Sequence, residues 1–65
     1  MPSSVIRRFQ YSEAERRLTI DFVSGRRYAY REVPRATAED FRNAFSKGEF
    51  FNAQIKDRFA FERER

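Results

Sequence analysis

Basic and aromatic side chains are the residues of this sequence whose types and spacing could do chemistry. Cations can follow the phosphates of a single-stranded nucleic acid while rings stack on its bases, and each stacked base contributes about 1–3 kcal/mol. Most of these residues fall on one arm of a predicted hairpin, and the others fall on or near a predicted helix. The candidate nucleic-acid-binding residues are Arg26, Arg27, Tyr28, Tyr30, Arg31, Lys47, Lys56 and Arg58. We expect the basic residues to contact phosphates and one of the two tyrosines to stack on a base.

The same residues also have purely structural explanations. Tyrosines in a small sheet usually pack into its core, because aromatic residues fit a half-buried pleated surface. Arginines in a turn are usually solvated, and phenylalanines at helical spacing, such as Phe50 and Phe51, are more typical of a core than of a stacking platform. The burial of Tyr28 and Tyr30 therefore decides between the two interpretations.

The sequence lacks the side chains on which most enzymes and zinc sites depend. It contains no Cys and no His, so the usual nucleophiles, general bases and zinc ligands are missing. Its two glycines, Gly25 and Gly48, lie too far apart to form a phosphate-binding loop. Glu39, Asp40 and Glu49 fall in the first turns of predicted helices, where a favourable interaction with the helix dipole accounts for acidic side chains without a catalytic role. We therefore predict no enzyme, no catalytic residue, no metal site and no cofactor.

Length and charge indicate one small basic domain. The chain has 65 residues, which we assign to a single domain over residues 1–65, and its net charge is +4. An excess of positive charge favours polyanions as partners. Eight Phe and three Tyr can supply a core that no disulfide supports. We find no signal peptide and no apolar run of membrane-spanning length, so we expect a cytoplasmic protein without membrane contact.

A β-hairpin is expected at the centre of the chain. Apolar residues alternate with polar ones from Leu18 to Phe22, and Ser24-Gly25 supplies the reversal. A two-residue loop at Ser24-Gly25 would point Tyr28 and Tyr30 away from the apolar face of the preceding strand. A three-residue loop that adds Arg26 would place them on that same face. We favour the shared face on hydrophobic grounds.

Three strands are predicted in all, over residues 5–11, 17–23 and 27–33. In the first strand, Val5 is expected to share a face with Phe9 and Tyr11, while Ile6 points to the other face. Pro34 ends the third strand, because it cannot donate a hydrogen bond to a sheet. The connections are too short for a parallel crossover, so the strands should form an antiparallel meander.

Two short helices are expected next. Thr37 is the predicted cap of the first helix, and Phe41 and Phe45 are expected to share its apolar stripe. Ser46 and Glu49 match the capping-box pattern that opens a second helix. Two start signals so close together imply a bend near Ser46 and exclude one long helix.

The last residues are predicted to be a polar tail that follows an apolar alternation. Phe59 and Phe61 alternate with Ala60 and Glu62, which allows a short C-terminal strand, and residues 62–65 should fray. The predicted fold is therefore α+β. A three-stranded antiparallel β-meander packs against two short C-terminal helices, and the alternation leaves room for that additional strand.

Three segments, in this order and spacing, resemble a known family. The segments are Pro2-Ser3-Ser4-Val5, Phe22-x-Ser24-Gly25-x-x-Tyr28-x-Tyr30 with Val33-Pro34, and Ser46-Lys47-Gly48-x-Phe50-Phe51-Asn52-x-x-Ile55-Lys56-x-x-Phe59. Together they resemble the KTSC domain, a small bacterial domain named after the C-terminal region of some lysyl-tRNA synthetases. The resemblance covers nearly the whole chain. Phe59 stands where Tyr would be equally familiar.

The resemblance implies a connection with RNA, through the synthetases, and it implies no catalytic residue. Combined with the basic and aromatic residues, it leads us to expect a non-catalytic module that binds single-stranded RNA or tRNA. The alternative is a protein-interaction or homodimerisation module, because eleven aromatic residues can exceed what one small core hides. An edge strand, or the exposed faces of Phe50 and Phe59, would then form the contact.

Overall fold

Four antiparallel strands form one sheet in the order β1-β2-β3-β4, and helices lie between the third and fourth strands. The computed structural model describes residues 5–64, so the predicted features at residues 1–4 and at Arg65 lie outside it. The elements are β1 (Ile6–Ser12), β2 (Arg17–Phe22), β3 (Arg27–Tyr30), α1 (Arg35–Asn43), α2 (Lys47–Phe50), a π-helical turn (Phe51–Ile55) and β4 (Phe61–Glu64).

The central hairpin has the predicted shared face but a different turn. Ile20 pairs with Tyr28 and Leu18 with Tyr30, so the tyrosines lie on the apolar face of β2. The loop is Val23-Ser24-Gly25, in place of a loop through Arg26, and Gly25 occupies its third position with φ of 96°. A positive φ at that position is what a three-residue hairpin loop requires, and glycine adopts it without strain.

A β-bulge changes which residues of β1 face the core. Ile6 pairs with Phe22 and Arg8 with Asp21, and the register shifts between them. The extra residue, Arg7, turns Ile6 onto the face that Phe9 and Tyr11 occupy. The predicted face for Ile6 is therefore wrong: Ile6 packs against the core, whereas Val5 is 52% exposed.

The helices confirm one predicted start and correct the other. The Ser46 hydroxyl accepts a hydrogen bond from the Glu49 backbone N–H at 3.3 Å, as a capping residue should. The first helix begins at Arg35, directly after the extended residue Pro34, so Thr37 lies inside it and is not its cap. Ala44 is extended, which produces the predicted bend between the two helices.

The core lies between the helices and one face of the sheet. Its largest fully buried side chains come from the sheet, the helices and the segment between them: Leu18, Ile20, Val33, Phe41 and Ile55. Phe41 packs edge-on against Phe9 of β1, with ring centroids 4.6 Å apart. Phe45 was expected to share this stripe, but the first helix ends at Asn43, and Phe45 is fully exposed.

The C-terminal segment forms an ordered strand as far as Glu64. The predicted frayed tail is therefore wrong for residues 62–64. In β4, Phe61 pairs with Tyr30 and Glu64 with Arg27. The two helices thus connect β3 to β4 and are not C-terminal. The third strand is correspondingly shorter than predicted, because it ends at Tyr30, and Glu32 then takes a positive φ of 57°. The α+β class, the antiparallel sheet and two helices are confirmed.

Candidate nucleic-acid interface

An open groove lies where the β2–β3 hairpin, the end of the π-helical turn and β4 come together. Its volume is about 710 Å³, and most of its surface is apolar. We call it the aromatic groove. Its lining residues are Val5, Phe22, Val23, Ser24, Arg26, Tyr28, Tyr30, Phe51, Lys56, Asp57 and Phe61. It contains four of the residues that the sequence analysis selected for nucleic-acid binding.

Three of the five aromatic residues that line the aromatic groove pack against one another at its β4 side. Phe61 lies against both tyrosines, with ring centroids 5.0 Å from Tyr28 and 5.3 Å from Tyr30. Tyr30 is only 2% exposed and Tyr28 is half-buried, whereas Phe61 is 52% exposed. Tyr30 therefore belongs to the core and is no longer a stacking candidate. Phe61 and the open part of Tyr28 remain available for contact with a ligand.

Two cations line the aromatic groove. Arg26 lies at the hairpin end and Lys56 at the end of the π-helical turn, and both are exposed. Neither side chain forms an ion pair with another of residues 5–64, although the carboxylate of Asp57 also lines the groove. Rings and two cations without an ion pair, lining one groove, can attract a ligand that is both planar and anionic.

The other four predicted residues lie elsewhere. Arg27 donates to the Asp21 carboxylate and Arg31 pairs with Glu62 at 3.4 Å, both on the sheet face away from the helices. Lys47 donates to the carbonyl oxygens of Arg42 and Ala44 and so closes the end of the first helix. Arg58 is exposed in the turn after Lys56 and does not line the groove.

Burial of Tyr30 has a measurable consequence at high pH. It raises the pKa of the Tyr30 hydroxyl from 10.0 to about 12, with smaller contributions from Tyr28 and Asp57. The unfolded chain loses this proton first. The stabilisation that depends on neutral Tyr30 is therefore complete below pH 10 and disappears as the pH rises from 10 to 12.

We expect Tyr30→Phe to lose less stability than the wild type between pH 10 and 12, because phenylalanine has no proton to release. Urea unfolding followed by circular dichroism at pH 8, 10 and 12 measures the difference. Tyr28→Phe is the control, since it removes the hydroxyl of a less buried tyrosine that lines the same groove. Equal losses in wild type and Tyr30→Phe would contradict this assignment.

Sequence reasoning missed the exposed residues of the groove. Phe61, Val23 and Val5 are each more than half exposed, and none of them was selected as a site residue. The faces of Phe50 and Phe59, proposed as a protein contact, are half-buried and pack against the core. The alternation of Phe59 and Phe61 was a signal for β4, but only the sheet order places Phe61 beside the tyrosines.

Two features are absent from residues 5–64. No helix in that range is both long and apolar enough to cross a membrane. No group of three or more metal-ligating side chains comes together there.

The architecture defines a class: a small α+β domain in which an antiparallel sheet with helices on one face leaves an aromatic groove open. The family model of the KTSC domain matches residues 2–59, and the chain belongs to the KTSC domain family. The crystal structure of a KTSC domain protein from Yersinia pestis is similar over 100% of this chain and 94% of that one, with a TM-score of 0.88 and 34% identity.

Relatives of two very different chain lengths are similar to this sequence. A lysine–tRNA ligase of Nostoc punctiforme is 49% identical over 59 residues, and one of Trichormus variabilis is 39% identical over 59 residues. Each match covers 91% of this chain but only 10% of the ligase. A protein of Tsukamurella paurometabola is 40% identical over 57 residues, and the match covers 85% of that protein. The domain thus occurs both in a large protein and nearly by itself.

Proposed function

We propose that this domain is a non-catalytic module that binds single-stranded RNA through the aromatic groove. The observation that carries the proposal is that an exposed ring, Phe61, lines the same groove as two cations, Arg26 and Lys56, with which no carboxylate of residues 5–64 forms an ion pair. A base stacks on Phe61 and the open part of Tyr28. The flanking phosphates lie against Arg26 and Lys56. Stacking tolerates every base, so the expected sequence preference is weak.

Relatives support a partner that is RNA. The matched ligases carry a name that includes tRNA, and the same domain there accompanies a protein that acts on tRNA. A domain that holds a single-stranded part of an RNA would serve such a protein, and a smaller protein could use it alone. The basic net charge of +4 is consistent with a polyanionic partner.

The test is a binding titration with tRNA and with short single-stranded RNA at two salt concentrations. Phosphate contacts release counterions, so affinity should fall steeply as salt rises. The double variant Arg26→Gln/Lys56→Gln should reduce the slope of log affinity against log salt by about 1.4, since each lost contact with a single strand removes about 0.7. Arg42→Gln is the matched control: it removes an exposed arginine outside the groove and should leave the slope unchanged.

Absence of binding at low salt, for both tRNA and short RNA, would refute the proposal. Binding with the same salt slope in the double variant and the wild type would place the interface elsewhere on the domain.

A second candidate function is homodimerisation through the same groove and the neighbouring edge strand β4. Exposed Phe61, Val23 and Val5 favour it, since apolar side chains at an edge often contact another chain. A pairing of two β4 strands centred on Glu62 or on Arg63 would place like charges opposite each other and is disfavoured, whereas one centred on Phe61 would bring the two phenylalanines together. Sedimentation equilibrium decides: a monomer at high concentration excludes it.

A further inference from the structure

Four arginines surround a second, smaller cavity at the hairpin end of the sheet. Its volume is about 180 Å³, and we call it the arginine cleft. Its lining residues are Arg7, Arg8, Asp21, Phe22, Gly25, Arg26 and Arg27. From this cleft we infer a binding site for the terminal phosphate monoester of an RNA strand. The inference rests on the proposed function and specifies which group of the RNA the cleft recognises.

The β-bulge and the hairpin together create the arginine cleft. The register shift after Ile6 inserts Arg7 into β1, beside Arg8. The loop that ends at Gly25 returns the chain so that Arg26 and Arg27 lie at the same end of the sheet. Bulges commonly re-aim side chains at functional sites, and this one directs consecutive arginines to a single cavity.

Asp21 neutralises only part of this charge. Its carboxylate accepts from Arg8 Nε at 3.0 Å and from Arg27 Nε at 2.5 Å. Hydrogen bonds from Arg27 lead the causes that hold the pKa of Asp21 below its usual value, so the carboxylate stays ionised at neutral pH. Among the lining residues, four guanidinium groups and one carboxylate leave three positive charges, and the Glu64 carboxylate acts on Arg27 from outside the cleft. Arg7 and Arg26 have no ion pair within residues 5–64.

The remaining charge suits a phosphate monoester better than an internal phosphate. A monoester carries about −1.5 to −2 charges at pH 7, whereas a phosphodiester carries one. Guanidinium groups present planar pairs of donors that match phosphate oxygens. Arg8 and Arg27 are held in place by Asp21, which leaves Arg7 and Arg26 free to close on the ligand.

Arg26 and Phe22 line both the arginine cleft and the aromatic groove. The two cavities are therefore adjacent, with Arg26 between them. An RNA strand that passes Arg26 at the hairpin end can place a base on Phe61 in the groove and its terminal phosphate in the cleft. This arrangement assigns Arg26 to the phosphate at the end of the chain and Lys56 to the next phosphate along it.

Competition binding tests the inference. Three unlabelled RNA hexamers of one sequence compete with a labelled RNA: one with a 5′-phosphate, one with a 3′-phosphate and one with hydroxyls at both ends. We expect one of the phosphorylated hexamers to bind about tenfold more tightly than the hydroxyl form, and the successful arm identifies the end. Arg7→Gln should abolish the difference. Arg42→Gln, the matched loss of an exposed arginine, should retain it, and circular dichroism confirms that both variants are folded.

The experiment distinguishes failure of the terminal-phosphate site from failure of the proposed RNA-binding function. If all three hexamers compete equally while still binding, the terminal-phosphate site is wrong and the proposed RNA-binding function stands. If the wild type binds none of the hexamers at low salt, both proposals are refuted. If Arg7→Gln and Arg42→Gln keep the same preference for a terminal phosphate, the arginine cleft is not where that phosphate binds.

Discussion

Phe41→Ala is expected to unfold the domain. Phe41 is completely buried and packs against Phe9 and Phe50 with ring centroids 4.6 and 5.8 Å away. Truncating a buried phenylalanine costs about 3–5 kcal/mol, from lost burial and from the cavity that remains. A core of this size supplies only about 3–5 kcal/mol of net stability. The loss therefore removes most or all of the free energy of unfolding.

Phe45→Ala provides a control of the same chemistry four positions away. Phe45 is fully exposed, so its truncation should change the unfolding free energy by less than about 0.5 kcal/mol. Thermal and urea unfolding, followed by circular dichroism, compare the two variants with the wild type. A cooperative transition in Phe41→Ala at nearly the wild-type midpoint would show that the core is not centred on Phe41.

These two phenylalanines also show that sequence periodicity alone does not predict which apolar residues are buried. Both match the apolar stripe of an amphipathic helix, and spacing alone cannot separate them. The difference arises because the helix ends at Asn43 and Ala44 is extended, which carries Phe45 out of the stripe. The second start signal, at Ser46, predicted a bend nearby, but not that the bend would expose Phe45.

The sequence predicted which residues of the hairpin share an apolar face, but it did not predict the position of the turn. The face shared by Tyr28 and Ile20 follows from burying apolar residues together, because a slip of one residue would expose the whole set. A slip of two residues preserves the face, so hydrophobicity could not distinguish the observed Val23–Gly25 loop from one shifted toward Arg26. The position of Gly25, third in the loop, was the signal that decides the register.

The candidate site was predictable in composition but not in arrangement. Arg26, Tyr28 and Lys56 were chosen for their types, and the structure brings them to one groove. Arg27 and Lys47 have the same types, but pairing with Asp21 and with helix carbonyls occupies them. Partners that are distant in the sequence make this distinction, so composition could not supply it.

The bulge in β1 illustrates the same limit. No Gly marks it, and the prediction of one strand over residues 5–11 assumed that successive side chains alternate between the two faces without a break. Its cause is tertiary, because Ile6 gains burial against Phe22 only if Arg7 is left unpaired. The arginine cleft depends on this irregularity, and it therefore lay beyond what the sequence pattern could indicate.

Phe61→Ala is expected to weaken RNA binding by about 5- to 150-fold, the equivalent of about 1–3 kcal/mol for one lost stacking contact. Phe61 is half exposed and lies 5.0 Å from the ring of Tyr28, so its loss removes the most accessible ring of the groove. Phe61→Tyr retains a ring and should retain binding. Phe61→Leu retains apolar surface without a ring, and it should bind RNA as weakly as Phe61→Ala does.

Fluorescence anisotropy with a labelled single-stranded RNA measures these affinities, and circular dichroism verifies that each variant is folded. Phe45→Ala is the control, because it removes an even more exposed phenylalanine that does not line the groove. If Phe61→Leu binds as the wild type does, the groove recognises apolar surface and not a base. That result would favour a protein partner, since only a base requires the flat face of a ring at this position.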